Sequence, residues 1–113
     1  MNGIETLSLF DLFEEHVSWA KKVFPKATAQ GALDHAAREL VEIELELQKP
    51  ELNGVAIITE YADAIGCILN SFIKAGYDMD DFKKAFRAKL IINMGRKWQD
   101  NGDGSYSHIK EVE

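Results

Sequence analysis

Apolar residues recur three or four positions apart in four stretches of the chain. That spacing predicts helices over Ser8 to Phe24, Leu33 to Gln48, Val55 to Ala75 and Met79 to Gln99. The residues between these stretches are of the kinds that end helices. Pro25 closes the first stretch and Lys49-Pro50 the second, Asn53-Gly54 supplies a turn, and Gly76 stands where a C-terminal glycine cap would end the third. Asp78 suits the N-cap of the fourth, with Asp80 and Asp81 in its first turn favoured by the helix dipole. Val41 to Leu47, VEIELEL, alternates apolar and acidic residues as a half-buried strand would. The upstream DHAAREL, the helix preference of Glu and Leu, and the want of a partner strand favour helix there. After Gln99 the periodicity stops, and NGDGSYSH carries turn signals that fit a loop, a short hairpin or a disordered tail.

Projected at about 100° per residue, Leu33, Ala36, Leu40, Ile43 and Leu47 form one apolar stripe, and His35, Glu39, Glu42 and Glu46 form a second along its edge. In the third helix Tyr61, Ile65, Ile68 and Phe72 make the expected core face, bordered by Glu60, Asp63 and Cys67. Each acidic stripe therefore flanks a packing face. Phe13, Phe86 and Trp98 are expected to pack. His16 and Trp19 on the first helix have the chemistry to hydrogen-bond and stack on a base, with ordinary core packing as the alternative.

A chain of 113 residues fits one all-α domain, read as 1–99 with a polar tail over 100–113, and is short enough that oligomerisation would help cover its apolar faces. The net charge of −6 and the lack of a Lys/Arg stripe argue against binding a nucleic-acid polymer. A single cysteine excludes an internal disulfide. The N-terminal MNGIETLSLF has neither a basic region nor an apolar run of signal length, so the expected compartment is the cytoplasm. No run of 18 consecutive apolar residues is present, and no membrane span is expected.

The acids carry the chemistry. Glu39 with Glu42 makes an ExxE pair and Glu60 with Asp63 an ExxD pair, separated by 17 residues that include the turn. A spacing of three puts both members of a pair on one helix face, and a helix returning from the turn lets all four acids converge. Two bare carboxylates about 4 Å apart repel by about 4 kcal/mol at an effective dielectric of about 20, so convergence calls for a cation between them. Oxygen ligands suit Mg²⁺ or Mn²⁺, two or more ions per site. The competing reading is two solvated helix faces, because Glu is common on exposed helices. A di-iron bundle would need His at 42 and 63, where Glu42 and Asp63 stand. Lys89, Asn93 and Arg96 fall within about 60° on the predicted fourth helix, which would aim two cations and an amide at a phosphate or else form a stripe of surface ion pairs.

Three segments, HAARELVEIELEL, EYADAIGCILN and KLIINMGRKW, resemble the all-helical MazG-like nucleoside triphosphate pyrophosphohydrolases, and most nearly their dATP/dGTP diphosphohydrolase (MazZ) branch. The shared pattern is ExxE, a spacer, ExxD, then Lys, Asn and Arg near a Trp on the next helix. Glu39, Glu42, Glu60, Asp63, Lys89, Asn93, Arg96 and Trp98 supply it in that order, and the likeness runs from Phe10 to Trp98. The resemblance implies a four-helix bundle completed as a homodimer or homotetramer, with Glu39, Glu42, Glu60 and Asp63 as metal ligands. It implies hydrolysis of a nucleoside triphosphate, dGTP or dATP, to monophosphate and pyrophosphate. From its place on the acidic stripe, His35 could hydrogen-bond a ligand carboxylate or be an ordinary structural histidine. One of the four acids, or Glu46 one turn on, could orient or deprotonate water, a solvated role being the alternative for Glu46. Two other functions fit the same residues: a house-cleaning hydrolase for non-standard or pyrimidine nucleotides, and a non-enzymatic helical interaction module.

Overall fold

A computed structural model of the chain describes residues 6–110; the first five residues and the last three of the tail lie outside the described residues. Four helices follow one another: α1 Leu9–Val23, α2 Ala29–Leu47, α3 Gly54–Lys74 and α4 Met79–Gly95. An antiparallel hairpin of β1 Trp98–Asp100 and β2 Tyr106–His108 comes last. The chain divides into two compact units, Met1–Met79 and Asp80–Glu113.

Polar caps set where the first three helices begin. Ser8 Oγ accepts the Asp11 N–H at 3.1 Å while the Asp11 carboxylate accepts the Ser8 N–H, a reciprocal box that satisfies two orphan donors of α1. Thr28 Oγ1 accepts the Gly31 N–H at 2.9 Å, so α2 starts at Ala29, four residues before the expected Leu33. Asn53 caps α3 through Ala56 N–H at 3.1 Å. Past Ala75, the C-cap of α3, Gly76 takes φ +103°, a left-handed conformation that a side chain disfavours. VEIELEL is helical throughout.

In the first unit α3 packs along α2 and also against α1. Ser71 Oγ donates to the Ala29 carbonyl at 2.7 Å, pinning the end of α3 to the start of α2. The buried residues here include the small Ala20, Ala36, Ala64 and Cys67, together with Val17, Ile43, Leu69 and Met79. Small side chains let backbones approach closely, and this explains a departure from the expected core. Tyr61, Ile65 and Ile68 remain 48%, 44% and 42% exposed, and Leu33, Leu40 and Leu47 are about half exposed. These large residues flank the α2–α3 seam and do not fill it. Among the described residues α3 alone is long and apolar enough to cross a membrane, although Glu60 and Asp63 stand in its middle and α2 packs along it.

In the second unit α4 stops at Gly95, short of the expected Gln99. Arg96, Lys97, Trp98 and Gln99 carry no intrinsic helix stop, but pairing across the turn wins: Trp98 faces His108 and Asp100 faces Tyr106. Gly102 and Gly104 adopt φ +80° and +88° in that turn, and Asp100 and Asp103 carboxylates accept the Gly102 and Ser105 N–H groups. Trp98 Nε1 donates to the Asn93 carbonyl at 2.9 Å, tying the hairpin to the end of α4. Phe86, expected to pack, is 62% exposed, with Phe82 as its ring neighbour.

Leu69, 1% exposed, is the large side chain most completely enclosed. Leu69→Ala should cost about 2–5 kcal/mol in chemical denaturation and Asn53→Ala about 1 kcal/mol. A loss at Leu69 below that of the cap would mean that α3 is not seated as described.

Candidate active site

The close seam between α2 and α3 forces acids together. One carboxylate oxygen each from Glu39, Glu42 and Glu60 lies within 4.8 Å of the others. Glu39 Oε2 and Glu60 Oε2 are shielded from solvent and have no hydrogen-bond partner. Orphaned carboxylate oxygens facing one another are costly unless a proton or cation sits between them. Protons respond accordingly. The Glu42 carboxyl is pushed above the usual carboxylate range by a hydrogen bond to Glu60 and then by its charge. Glu60 is pushed up chiefly by its hydrogen bond to Glu39, with burial and the charges of Glu39 and Asp63 adding to it.

The other expected residues fall in different places. Asp63, one turn beyond Glu60, stands outside the 4.8 Å cluster on the exposed rim, where its charge bears on Glu60 and Cys67. His35 Nε2 lies 3.2 Å from Glu39 Oε1, fixing that carboxylate from one turn away. Glu46 is paired with Lys49 at 2.6 Å, which directs its carboxylate to a surface partner. Burial, then the charges of Glu39 and Asp63, push the Cys67 thiol up, so it is a packed neutral group and not a nucleophile.

A cavity of about 980 Å³ opens in the first unit. Glu39, Asp63 and His35 line it beside the acid cluster, and His16, Trp19 and Asn70 line it further along. Trp19 is 52% exposed, so its ring is not core; it meets His16 at 5.7 Å between centroids and Phe24 edge-on at 5.3 Å. His16 Nε2 and Asn70 Oδ1 are 2.9 Å apart, joining α1 to α3. Gly66 makes this contact possible, because a Cβ there would stand 3.0 Å from His16 Cε1. Asn70 and Gly66 were not singled out from sequence. Only their position on the Asp63 side of α3, seven and three residues on, could have pointed to them.

In the second unit Arg96 lies beyond the helix, so the single-face argument holds for Lys89 and Asn93 only. Arg96 is still tethered, its guanidinium 3.4 Å from Asn93 Oδ1. His108, also unanticipated, packs edge-on against Trp98 at 6.0 Å, and the positive charge of Arg96, followed by burial, Lys110 and Lys89, pushes its pKa down. The end of α4 and the hairpin thus collect positive charge.

No curated protein matches the chain. Among solved structures, a cyanophage S-2L MazG-like pyrophosphohydrolase bound to dGDP and three catalytic Mn²⁺ ions per active site is similar in fold, with a TM-score of 0.68. The match covers 92% of this chain and 99% of that one at 24% identity. The sequence model of the dATP/dGTP pyrophosphohydrolases matches residues 12–112. With an all-α fold of the MazG-like kind and a match over nearly its whole length, the chain belongs to the dATP/dGTP pyrophosphohydrolase family.

Proposed function

We propose that the protein hydrolyses purine deoxynucleoside triphosphates, dGTP or dATP, between the α- and β-phosphorus with the help of divalent cations. The observation that carries this reading is the cluster of Glu39, Glu42 and Glu60 at the edge of a nucleotide-sized cavity, with two of its oxygens orphaned. Such a donor set fits Mg²⁺ or Mn²⁺, which require oxygen ligands, and Asp63, one turn further along α3 with its charge bearing on Glu60, is the fourth ligand that the resemblance implies. Bound there, the ions supply Lewis-acid charge to the phosphates and acidify an attacking water. The similar fold that carries dGDP and three Mn²⁺ supports both a purine deoxynucleotide and more than one ion.

The chain's own residues divide the remaining work. His35 holds Glu39 in place, and Trp19 offers a half-exposed ring on which a base can stack. Lys89, Asn93 and Arg96 serve the pyrophosphate end, where cations offset charge that develops as the bridging bond breaks. The exposed aliphatic residues take a second copy of the chain, as dimer or tetramer. Leu33, Leu40 and Leu47 recur every seven residues on α2, and Ile58, Tyr61, Ile65 and Ile68 alternate three and four apart on α3, the spacing of a helix–helix seam.

In a panel of the four deoxynucleoside triphosphates, pyrophosphate release should be faster from dGTP and dATP than from dCTP and dTTP. Glu42→Gln should lower turnover by about 10²-fold or more while leaving far-ultraviolet circular dichroism unchanged. A pyrimidine preference, or a Glu42→Gln enzyme of near wild-type rate, would sink the assignment.

Raised carboxyl groups make the metal-free fold pH-sensitive. The folded state keeps protons that the unfolded chain has released, so its stability falls as pH rises through and above the ordinary carboxylate range. Cations replace those protons. The gain in Tm on adding Mn²⁺ should therefore be larger at about pH 8 than at about pH 5. An equal gain at both would show that the ion binds elsewhere.

Association is checked by light scattering after size exclusion. Ile65→Glu should yield a smaller particle with intact helicity, because a charge in an apolar seam is desolvated without a partner. A monomeric wild-type protein would refute this surface assignment.

A further inference from the structure

The hairpin carries chemistry that the acid cluster and the first-unit cavity do not use. The Ile109 N–H donates to the Lys97 carbonyl at 2.8 Å and the Asn101 N–H to the Ser105 carbonyl at 2.9 Å, so the hydrogen-bonded pairs fall on odd-numbered positions. Trp98 and His108, directly opposite, form the pair between them, whose side chains share one face and stand close. Strand alternation returns Lys110 to that face two residues after His108. Arg96 arrives at the same open end of the hairpin from α4, tethered to Asn93 Oδ1, while Trp98 is fixed through its Nε1 to the Asn93 carbonyl. The positive charges of Arg96, Lys110 and Lys89 all bear on His108, which places three cations around one imidazole.

Like charges gathered across a hairpin destabilise it unless an anion joins them. Among the described residues no carboxylate pairs with Lys89, Arg96 or Lys110, and Arg96 and His108 are half-buried. Asp100, further along the strand, has its carboxylate turned to the Gly102 N–H in the turn. A net charge of −6 disfavours a nucleic-acid polymer here. A condensed phosphate concentrates several negative charges on two adjacent centres, which suits cations gathered around one point. Guanidinium grips such oxygens as a planar fork, ammonium as a point charge, and an imidazole through its N–H. We propose that His108 and Lys110 join Arg96 and Lys89 in a hairpin site for a pyrophosphate group, either the β- and γ-phosphates of a triphosphate or the pyrophosphate released from it. The source of that group is the hydrolysis proposed above, on which the site depends for its role. An arriving anion favours the charged imidazole, so His108 takes up a proton from solvent that the surrounding cations otherwise keep off.

The test titrates inorganic pyrophosphate into the full chain by calorimetry and by NMR, with EDTA present so that no metal carries the binding. The wild-type protein should hold pyrophosphate at least about tenfold more tightly than inorganic phosphate, and the His108 ring signals should shift, their titration midpoint moving up as the anion is added. His108→Gln and Lys110→Gln should each weaken binding by about threefold to tenfold. His108→Phe keeps an aromatic ring beside Trp98 and lacks the N–H, so it should lose as much as His108→Gln. Lys110→Gln, at an exposed position past β2, keeps the test open if the His108 variants disturb the hairpin. Wild-type affinity in His108→Phe would make the ring a packing group and overturn the proposal, as would wild-type affinity in Lys110→Gln or pyrophosphate that binds without moving the His108 signals. If KM for dGTP rises in the variants, the site holds the β- and γ-phosphates of the substrate. If only inhibition by pyrophosphate weakens, it holds the product, and the site stands in both cases. A wild type that cleaves dGTP without binding pyrophosphate overturns the proposal and leaves the hydrolytic reading standing. One that binds pyrophosphate but releases none from any deoxynucleoside triphosphate supports the site and removes that reading.

Discussion

The close approach of α2 and α3 is the constraint from which the rest follows. Ala36, Ala64 and Cys67 are buried where larger residues would hold the helices apart, and the Ser71 to Ala29 hydrogen bond fixes the end of the pair. Closeness has an electrostatic cost. Glu39, Glu42 and Glu60 stand within 4.8 Å, two with oxygens cut off from water, so apolar packing works against charge repulsion in the same few turns. Raised carboxyl pKa values are the trace of that opposition in the metal-free chain. A cation between the carboxylates would relieve that cost.

The helices and their polar ends were largely legible in the sequence because caps are local. Ser8 with Asp11, Asn53 with Ala56 and the left-handed Gly76 each act within a few residues. The clustering of Glu39, Glu42 and Glu60 was legible for a related reason: spacing of three plus one reversal of direction brings them together. What could not be read was set by partners distant in the chain. The expected core faces of α2 and α3 turned out half exposed, since hydrophobic periodicity says which side is apolar but not what covers it. The end of α4 at Gly95 depended on pairing with residues 106–108, which propensity at Arg96 to Gln99 does not reveal. Asn70 and Gly66 matter through His16, 54 and 50 positions away, and no local pattern marks them.

The first unit separates two demands on a nucleotide site. In the proposed reading its acidic end would hold cations, while Trp19, His16 and Asn70, which line the same cavity, would face the base. Both ends hang on α3, a single rigid helix of 21 residues, so the distance between them is set by helical rise and not by a mobile loop. Positive charge is collected separately, at the end of α4 and along the hairpin, where Arg96, Lys89 and Lys110 bear on His108.

The half-exposed aliphatic residues of α2 and α3 leave part of the hydrophobic driving force unused within one chain. If a second copy covers them, folding and assembly are one equilibrium, and mass action enters it. Dilution then lowers the stability of every copy, and a concentrated sample melts at a higher temperature than a dilute one of the same composition. Abundance in solution becomes a determinant of how much of the chain is folded, alongside the side chains themselves.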